Sequence, residues 1–314
     1  MKVLVICEGN PRNGTFVFEI HQSFVHEQIE SLKKKGIETD LFLIQGKGFF
    51  GYLRNYLPLR KRLANDDIDI VHAHYGLAGL LAVMQRLSPV VITYHGSDVG
   101  DCKQNILSSI AGLFSKARIF VAAHLLRNLF VKKRKGNYII PCGVDLDSFY
   151  PLQKPEARTR LKMDLTKKYV LFASSFSNPV KNCPLAKAAV DLLPGVELLE
   201  LDGVKRVEVN LLLNAVDVLL MTSFREGSPM VIKEAMACNC PIVTTDVGDA
   251  RQVIGTTQGC IVSSFEVHDI AKALDTVLSG GSRTNGRENV LTLGLPTVAE
   301  KIVQIYQSLN SRIV

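Results

Sequence analysis

Two glutamates, Glu226 and Glu234, stand eight residues apart around a Gly-Ser-Pro turn. The turn follows a short apolar run and opens a helical pattern, so we expect Glu226 in the loop and Glu234 about two turns into the helix. The free N–H groups of such a helix start favour a phosphate or sugar oxygen, and each carboxylate can accept hydrogen bonds from hydroxyls. The spacing therefore predicts a site for a phosphorylated, hydroxyl-rich ligand such as a nucleotide sugar.

Residues 222–248, which contain both glutamates, resemble the E-x7-E region of the retaining GT-B glycosyltransferases of family 4. Residues 140–151 are similar to the interdomain Pro-x-Gly-Val-Asp-x-x-x-Phe-x-Pro pattern of the same family. The resemblance implies that Glu226 is catalytic, holding the donor sugar in its reactive pose, and that Glu234 binds the ribose hydroxyls. Four further residues of the turn are implied to bind the donor: Gly227, Ser228, Pro229 and Met230.

Lys181 matches the lysine that the family places against the donor diphosphate. A cation there would stabilise the departing nucleoside diphosphate as the glycosidic bond breaks. Three neighbours depart from the family pattern, because the usual Gly, Arg and Gly are Ser174, Ser175 and Asn182 here. One cationic contact is thus missing, and Arg225 or Arg12 is our hypothesis for its replacement.

A loop containing Arg12, Asn13 and Gly14 follows the first predicted strand. It is neither the Gly-x-Gly-x-x-Gly pattern nor a Walker A loop, so a dinucleotide dehydrogenase is not supported. In the family, the corresponding loop faces the donor diphosphate and the acceptor. The resemblance implies that Asn13 and Gly14 bind the donor and that Arg12 lies on the acceptor side; a plain strand-to-helix turn is the alternative.

Histidines end two predicted strands, in the sequences His72-Ala-His74-Tyr and Tyr-His95-Gly-Ser-Asp98. Side chains at these strand ends face the ligand crevice of a doubly wound sheet. Residues 93–98 resemble the family's Thr-x-His-Gly-x-Asp, which implies that His95 is catalytic and lies beside the donor sugar. His72, His74 and Asp98 are predicted on the acceptor side, but buried, hydrogen-bonded histidines and a helix-capping Asp98 fit equally. No carboxylate spacing accompanies the histidines, so we expect no metal.

Short apolar strands alternate with helix-length segments, which is the rhythm of parallel α/β sheets. We predict two Rossmann-like doubly wound domains facing across a cleft, the GT-B fold. The predicted domains are residues 1–145 on the acceptor side and 146–296 for the nucleotide sugar, followed by a helix in 297–314 that packs back toward the first domain. The predicted strands are 3–7, 39–44, 68–72, 90–94, 119–121, 138–140, 169–173, 196–199, 218–221, 242–244 and 260–262.

Helix ends are also marked in the sequence. A helix from about Phe16 to Lys35 is predicted to close at Gly36, and a helix at 231–238 is predicted to close at Asn239, since Gly and Asn favour the left-handed position after a helix. The last predicted helix is 297–309. The N-terminal apolar run is too short for a signal peptide, and no apolar segment is long enough to span a bilayer.

The net charge of +7 comes from the first half of the chain, where residues 1–145 hold 19 Lys and Arg against 12 Asp and Glu. A basic face attracts anionic lipid or a polyanionic acceptor, although solvated helix ends are the alternative. No nucleic-acid-binding motif accompanies the charge. Seven scattered cysteines, an odd number, favour a reducing compartment. The basic residues of this half cluster at 33–35, 60–62 and 132–135.

The resemblance implies a retaining glycosyltransferase that moves a sugar from a nucleotide-diphospho-sugar to a glycan or lipid-linked acceptor, as in bacterial surface-polysaccharide assembly. It implies no cofactor and no metal. Together with the basic first half of the chain, it favours a cytoplasmic location at the inner face of the membrane, with peripheral contact to anionic lipid. Two alternatives stay open. One is a nucleotide-sugar epimerase of the same fold; the other is a non-catalytic protein that binds a nucleotide sugar or glycan.

Overall fold

A computed structural model describes residues 1–10, 16–131 and 135–310, except the side chain of Phe49. The chain divides into two compact units, Met1–Gly143 with Leu295–Val314 and Val144–Gly294. Both changes of unit lie two residues before the predicted domain boundaries at 145 and 296. The chain therefore leaves the first unit once and returns to it through its C-terminal helix.

Each unit is built on one parallel sheet. The first sheet has the order β2-β1-β3-β4-β5-β6 and the second β11-β10-β9-β7-β8. Every pair of neighbouring strands is parallel, as the alternation of strands and helices predicts. The strands are β1 Lys2–Glu8, β2 Glu38–Ile44, β3 Ile70–His74, β4 Val90–Tyr94, β5 Ala117–Phe120, β6 Asn137–Ile139, β7 Lys168–Phe172, β8 Val196–Glu200, β9 Val218–Met221, β10 Ile242–Thr245 and β11 Cys260–Ser263.

Helices connect the strands. They are α1 Phe18–His21, α2 Ser23–Lys34, α3 Gly48–Leu53, α4 Tyr56–Asn65, α5 Gly76–Met84, α6 Ser97–Gly100, α7 Cys102–Phe114, α8 Ala123–Asn128, α9 Lys154–Arg160, α10 Cys183–Val190, α11 Arg206–Ala215, α12 Met230–Ala237, α13 Ala250–Ile254, α14 Val267–Gly280, α15 Gly286–Val290 and α16 Leu295–Asn310. Short 3-10 helices span Pro179–Lys181 and Leu291–Leu293.

Both faces of the first sheet are buried, because successive side chains of a strand point to opposite faces. In β1, Leu4 and Ile6 pack into one core, while Val3 and Val5 pack into another with α2 and α16. The second sheet has the same two-sided burial. The two doubly wound α/β units form the predicted GT-B fold.

The helix ends follow the sequence signals closely. Gly36 has φ +78° and Asn239 has φ +55°, so both hold the left-handed position after their helices, as predicted. The first predicted helix is wrong in one respect: it is interrupted at Gln22, whose backbone is not helical, and forms α1 and α2 instead. The predicted C-terminal helix is α16, which packs in the core of the first unit beside α2.

Candidate active site

The carboxyl ends of three adjacent strands, β8, β7 and β9, carry the candidate site of the second unit. Ligands of doubly wound sheets bind beyond this edge. The loop after β7 supplies Lys181, the loop after β9 supplies Glu226, and the loop after β8 leads to Arg206 at the start of α11. Adjacent parallel strands thus bring residues distant in sequence to one edge.

Lys181 and Glu226 form an ion pair. The Lys181 Nζ lies 2.6 Å from Glu226 Oε1, and their side chains are only 21% and 15% exposed. The two loops are also joined through the backbone, because the N–H of Phe224 donates to the Val180 carbonyl at 3.0 Å. The Thr222 hydroxyl donates to the Lys181 carbonyl at 3.0 Å. The structure thus brings the predicted sugar-binding carboxylate and the predicted diphosphate lysine into contact.

Glu234 is paired with a cation that the sequence did not single out. The Glu234 carboxylate is buried on α12 and accepts a hydrogen bond from the Arg206 guanidinium. The guanidinium also lies over the Phe149 ring, 4.6 Å from its centroid. Arg206 is partly exposed. It therefore places a cation at the carboxyl end of the sheet, where the arginine usual in the family is missing. The strand-end rule could have found it, since it follows β8 closely.

A buried polar network lies beneath the turn that opens α12. The Ser228 hydroxyl donates to Asp249 Oδ2 at 2.6 Å, and the Lys233 ammonium donates to the Ser228 hydroxyl. The Lys233 Nζ lies 3.5 Å from the same Asp249 oxygen, and both side chains are buried. The Ser228 hydroxyl is therefore engaged in this network, and the donor-binding role of Ser228 stays a prediction. No sequence signal singled out Lys233 or Asp249.

The turn itself is tightly packed. Gly248 has φ +64°, and a Cβ there would lie 2.7 Å from the Gly227 carbonyl oxygen and 3.1 Å from Glu226 Cβ. Pro229 is the residue before α12, and Met230 begins the helix. All four predicted turn residues, 227–230, therefore lie at the start of α12, close to Glu226 in the chain.

In the first unit, His95 follows β4 and stacks against its neighbours. Its Nε2 lies 3.0 Å from Nδ1 of the buried His74, so one ring donates to the other. The Phe24 and Tyr75 rings lie 4.8 Å and 4.7 Å away, centroid to centroid. Burial and the nearby His74 hold the pKa of His95 well below its ordinary value. His95 is half-buried and is expected to be neutral at pH 7.

His72, His74 and Asp98, which were predicted on the acceptor side, are buried. Both ring nitrogens of His72 are hydrogen-bonded. Its Nδ1 lies 2.5 Å from the Tyr306 hydroxyl, and its Nε2 lies 2.7 Å from the Thr93 hydroxyl. Burial lowers the pKa of His74 to about 3. Both rings are thus buried and hydrogen-bonded, as in the alternative that the sequence left open, and their acceptor-side role stays a prediction. The partner Tyr306 lies on α16, too far along the chain for a local pattern to indicate.

Asp98 caps local backbone. Its carboxylate accepts from the N–H groups of Gly96 at 2.8 Å, His95 at 3.1 Å and Gly76 at 3.2 Å. Burial raises its pKa to about 6, and these hydrogen bonds act in the opposite direction. Asp98 therefore orders the loop that carries His95, as in the capping alternative, and its acceptor-side role stays a prediction.

Some predicted residues cannot be placed. Arg12, Asn13 and Gly14 lie outside the described residues. Arg225 is exposed beside Glu226. Within the described ranges, no group of three or more His, Cys, Asp or Glu is placed to hold a metal ion, and no helix has the length and apolar character needed to cross a membrane. No disulfide joins the seven cysteines, all of which lie in the described ranges.

Two family models match the chain: "Glycosyltransferase Family 4" over residues 22–148 and "Glycosyl transferases group 1" over residues 184–280. The chain is 25% identical over 234 residues to a Bacillus subtilis protein provisionally named a teichuronic acid biosynthesis glycosyltransferase, covering 66% of this chain and 60% of that protein. It is 25% identical over 272 residues to a D-inositol 3-phosphate glycosyltransferase of Mycobacterium sp. strain KMS, covering 71% of this chain and 62% of that protein. The chain spans about three fifths of these relatives.

Solved structures share the fold along the whole chain. A sucrose-phosphate synthase from Thermosynechococcus elongatus matches with a TM-score of 0.84 at 18% identity, over 99% of each chain. The Anabaena protein HepE, solved in complex with UDP, matches with a TM-score of 0.75 at 15% identity, over 98% of this chain and 100% of that chain. At these identities the likeness establishes the GT-B fold.

Proposed function

The chain belongs to the group 1, family 4 glycosyltransferases, and from this premise we propose that it transfers a sugar from a nucleotide-diphospho-sugar to a glycan or lipid-linked acceptor. The observation that carries the proposal is that two ion pairs lie at the carboxyl end of one sheet. Lys181 pairs with Glu226, and Arg206 pairs with Glu234. Two cations there suit a diphosphate, and two carboxylates suit the hydroxyls of a sugar and a ribose.

Each residue has a role in this proposal. Lys181, helped by the amides near Gly227 and Ser228, stabilises the diphosphate that leaves. Glu226 accepts hydrogen bonds from the donor sugar, and Glu234 accepts them from the ribose. His95, kept neutral, hydrogen-bonds a sugar hydroxyl. We propose retention at the anomeric carbon, with no metal and no cofactor. The solved relative HepE binds UDP, which supports a nucleotide-sugar donor.

The acceptor is proposed from charge. The excess of basic residues in the first half of the chain suits an anionic glycan or a lipid-linked acceptor at a cytoplasmic membrane face. The Bacillus subtilis relative is provisionally named for teichuronic acid biosynthesis, an assignment that supports bacterial surface-polysaccharide assembly as the setting.

Donor binding is the first test. Calorimetry with UDP, GDP, ADP and NAD should give tight binding of one nucleoside diphosphate, weakened in Lys181→Ala and in Glu234→Ala. Failure of all four to bind, together with failure of their sugar conjugates, would overturn the proposal. NMR of the product made from the matching donor then reads its anomeric configuration, and inversion would refute the retaining mechanism.

Experiments with the same donor distinguish two other functions from the transferase. A nucleotide-sugar epimerase would convert the donor without any acceptor, and NMR of the donor alone would show a second sugar. A non-catalytic binding protein would bind the donor and transfer it to no glycan or lipid-linked acceptor. Ser175, in the place of the family's arginine, favours this second candidate, whereas Arg206 supplies a cation close to the site.

A further inference from the structure

Residues 46–65, which contain α3 and α4, combine five basic residues with no acidic one. Among the side chains of this segment that the structure describes, three large apolar ones are exposed: Phe50 at 79%, Leu53 at 38% and Leu57 at 72%. Exposed apolar residues that stand singly are ordinary, but three of them within one strongly basic segment mark an interaction surface. The basic residues are Lys47, Arg54, Arg60, Lys61 and Arg62.

The spacing places a cation beside Phe50 and beside Leu57, the two most exposed of these side chains. Arg54 stands four residues after Phe50, and Arg60 and Lys61 stand three and four after Leu57. Residues at these spacings are neighbours on a helix surface. The opposite face of α4 is fixed in the protein, because Leu59 and Leu63 are buried in the core of the first unit. The outward face of α4 is thus apolar and basic at once.

Most of this charge is not used by the fold. Arg62 pairs with Asp40 and Asp66, at 3.0 Å and 2.9 Å. Among the residues that the structure describes, by contrast, Arg54 and Lys61 form no ion pair. Arg60 donates to the Tyr56 hydroxyl, a neutral partner, at 3.1 Å. Arg54, Arg60 and Lys61 therefore remain to attract an anionic partner.

An apolar cavity of about 110 Å³ adjoins this surface. It lies between α3, α5 and α7, and the half-exposed Leu53 and Met84 stand where it meets the surface. On α7, next to the lining residue Leu107, a stripe of exposed apolar side chains continues the surface. The stripe consists of Ile106, Ile110, Leu113 and Phe114, which are 51%, 38%, 42% and 65% exposed.

We propose that α3 and α4 form the element by which this protein lies on an anionic lipid bilayer. Phe50 and Leu57 enter the boundary between head groups and acyl chains, and Arg54, Arg60 and Lys61 reach back to the lipid phosphates. Helices with apolar residues next to lysine and arginine bind membrane interfaces in this way, with long basic side chains extending toward the head groups. The cavity beside Leu53 takes the end of a lipid chain.

Other partners fit the surface less well. A polyanion such as nucleic acid or an acidic glycan would use the cations but would leave Phe50 and Leu57 in water. A second copy of the chain, paired about a two-fold axis through this face, would place the same cations opposite one another, which is unfavourable. A bilayer of anionic lipid satisfies both the charge and the apolar side chains.

The chain contains no tryptophan, so a single introduced Trp reports on one place. With vesicles containing phosphatidylglycerol, we expect the emission of Phe50→Trp and of Leu57→Trp to move to shorter wavelength and to be quenched by lipids brominated on the acyl chain. Leu165→Trp is the matched control, because Leu165 is 58% exposed in the second unit; its emission should not change.

Charge is tested separately, by adding Arg54→Gln and Lys61→Gln to Phe50→Trp. Each substitution should weaken partition into the anionic vesicles by roughly fivefold, and phosphatidylcholine vesicles should bind weakly. Unchanged Phe50→Trp and Leu57→Trp spectra with anionic vesicles would overturn the proposal. So would a spectral shift that needs no lipid and follows dimer formation in light scattering.

The inference extends the proposed function, because it names the surface that would bring a membrane acceptor to the protein. Its test needs neither donor nor transfer. Vesicle binding without nucleotide binding would support the bilayer contact and contradict the transferase proposal. Nucleotide binding without vesicle binding would support the transferase proposal and contradict the bilayer contact.

Discussion

The ammonium of Lys181 lies 2.6 Å from the carboxylate of Glu226. The cation proposed for the donor diphosphate is thus already engaged by the carboxylate proposed for the donor sugar. The two side chains are mostly shielded from water, which strengthens the pair. A diphosphate that binds Lys181 must therefore compete with Glu226 for the ammonium, and donor binding and sugar positioning are coupled through this one contact.

Glu226→Gln tests the coupling. Loss of the carboxylate leaves Lys181 free for phosphate, so the Kd of the nucleoside diphosphate should stay equal or fall severalfold. The rate of sugar transfer should drop by about a hundredfold or more, because a charged group that contacts the reacting sugar is lost. Calorimetry measures the first quantity, and a transfer assay with the matching donor measures the second.

Lys181→Ala should have the opposite effect on donor affinity. It should weaken binding of the nucleoside diphosphate about tenfold or more, since a charge-assisted hydrogen bond is lost. Lys272→Ala, which removes an exposed lysine from α14 of the same unit, should change neither quantity. If Glu226→Gln weakened binding of the nucleoside diphosphate as much as Lys181→Ala does, Glu226 would not compete with the diphosphate for Lys181.

Lys233 should be essential for the stability of the second unit. Lys233→Met leaves the buried Asp249 without its cation, and an uncompensated buried charge costs about 3 kcal/mol of unfolding free energy or more. Adding Asp249→Asn removes that charge and should recover part of the loss. Urea unfolding of the single and double variants measures both. Strictly additive losses in the double variant would show that the two residues do not interact.

The parallel sheets and helix ends were predictable from local signals. Strand positions follow from short apolar runs, and Gly36 and Asn239 follow from the left-handed conformation that ends a helix. The break of the first helix at Gln22 was not predictable, because residues 16–35 hold neither proline nor a glycine to mark it. Periodicity alone cannot separate one helix from two in register.

The candidate site was predictable only where one segment carries it. Glu226 and Glu234 lie in one strand-turn-helix unit, so spacing and resemblance indicate them together. Their cations come from other loops, and the pairing of Arg206 with Glu234 depends on β8 lying beside β7 in the sheet. Burial of His72 by Tyr306 depends on the return of α16 to the first unit. Residue spacing does not give the order of strands in a sheet, and although the return of the last helix was predicted, its contact with His72 was not.

Gly248→Ala should disturb the turn that carries Glu226. The new Cβ would lie 2.7 Å from the Gly227 carbonyl oxygen, so the turn must shift. We expect a loss of about 1–3 kcal/mol in unfolding free energy, from overpacking and from the positive φ, together with weaker donor binding.

Gly281→Ala is the matched control for backbone strain. Gly281 has φ +61°, close to that of Gly248, but nothing lies within 4 Å of its added Cβ. It should lose stability through strain alone and bind the nucleoside diphosphate normally. Calorimetry and urea unfolding of the two variants separate strain from contact, and equal donor affinities would show that the turn tolerates the shift.

Acid should destabilise the first unit through its histidines. Burial lowers the pKa of His72 and His95 well below the ordinary value and that of His74 to about 3. In the unfolded chain His74 takes up a proton near pH 6.5, but in the folded protein it stays neutral. The stability from the neutral ring is fully present above pH 6.5 and is lost as the pH falls toward 3.

Two variants should change this loss in opposite directions. His74→Phe removes one proton uptake, so between pH 6 and pH 4 its unfolding free energy should fall less steeply than that of the wild type, by about 1.4 kcal/mol per pH unit. Asp98 acts against the histidines, because its pKa is raised to about 6 and its penalty grows as the pH rises from about 4 to 6. Asp98→Asn should therefore steepen the acid loss. Urea unfolding across this range measures both slopes, and parallel curves for all three proteins would show that these buried groups titrate alike in the folded and unfolded chain.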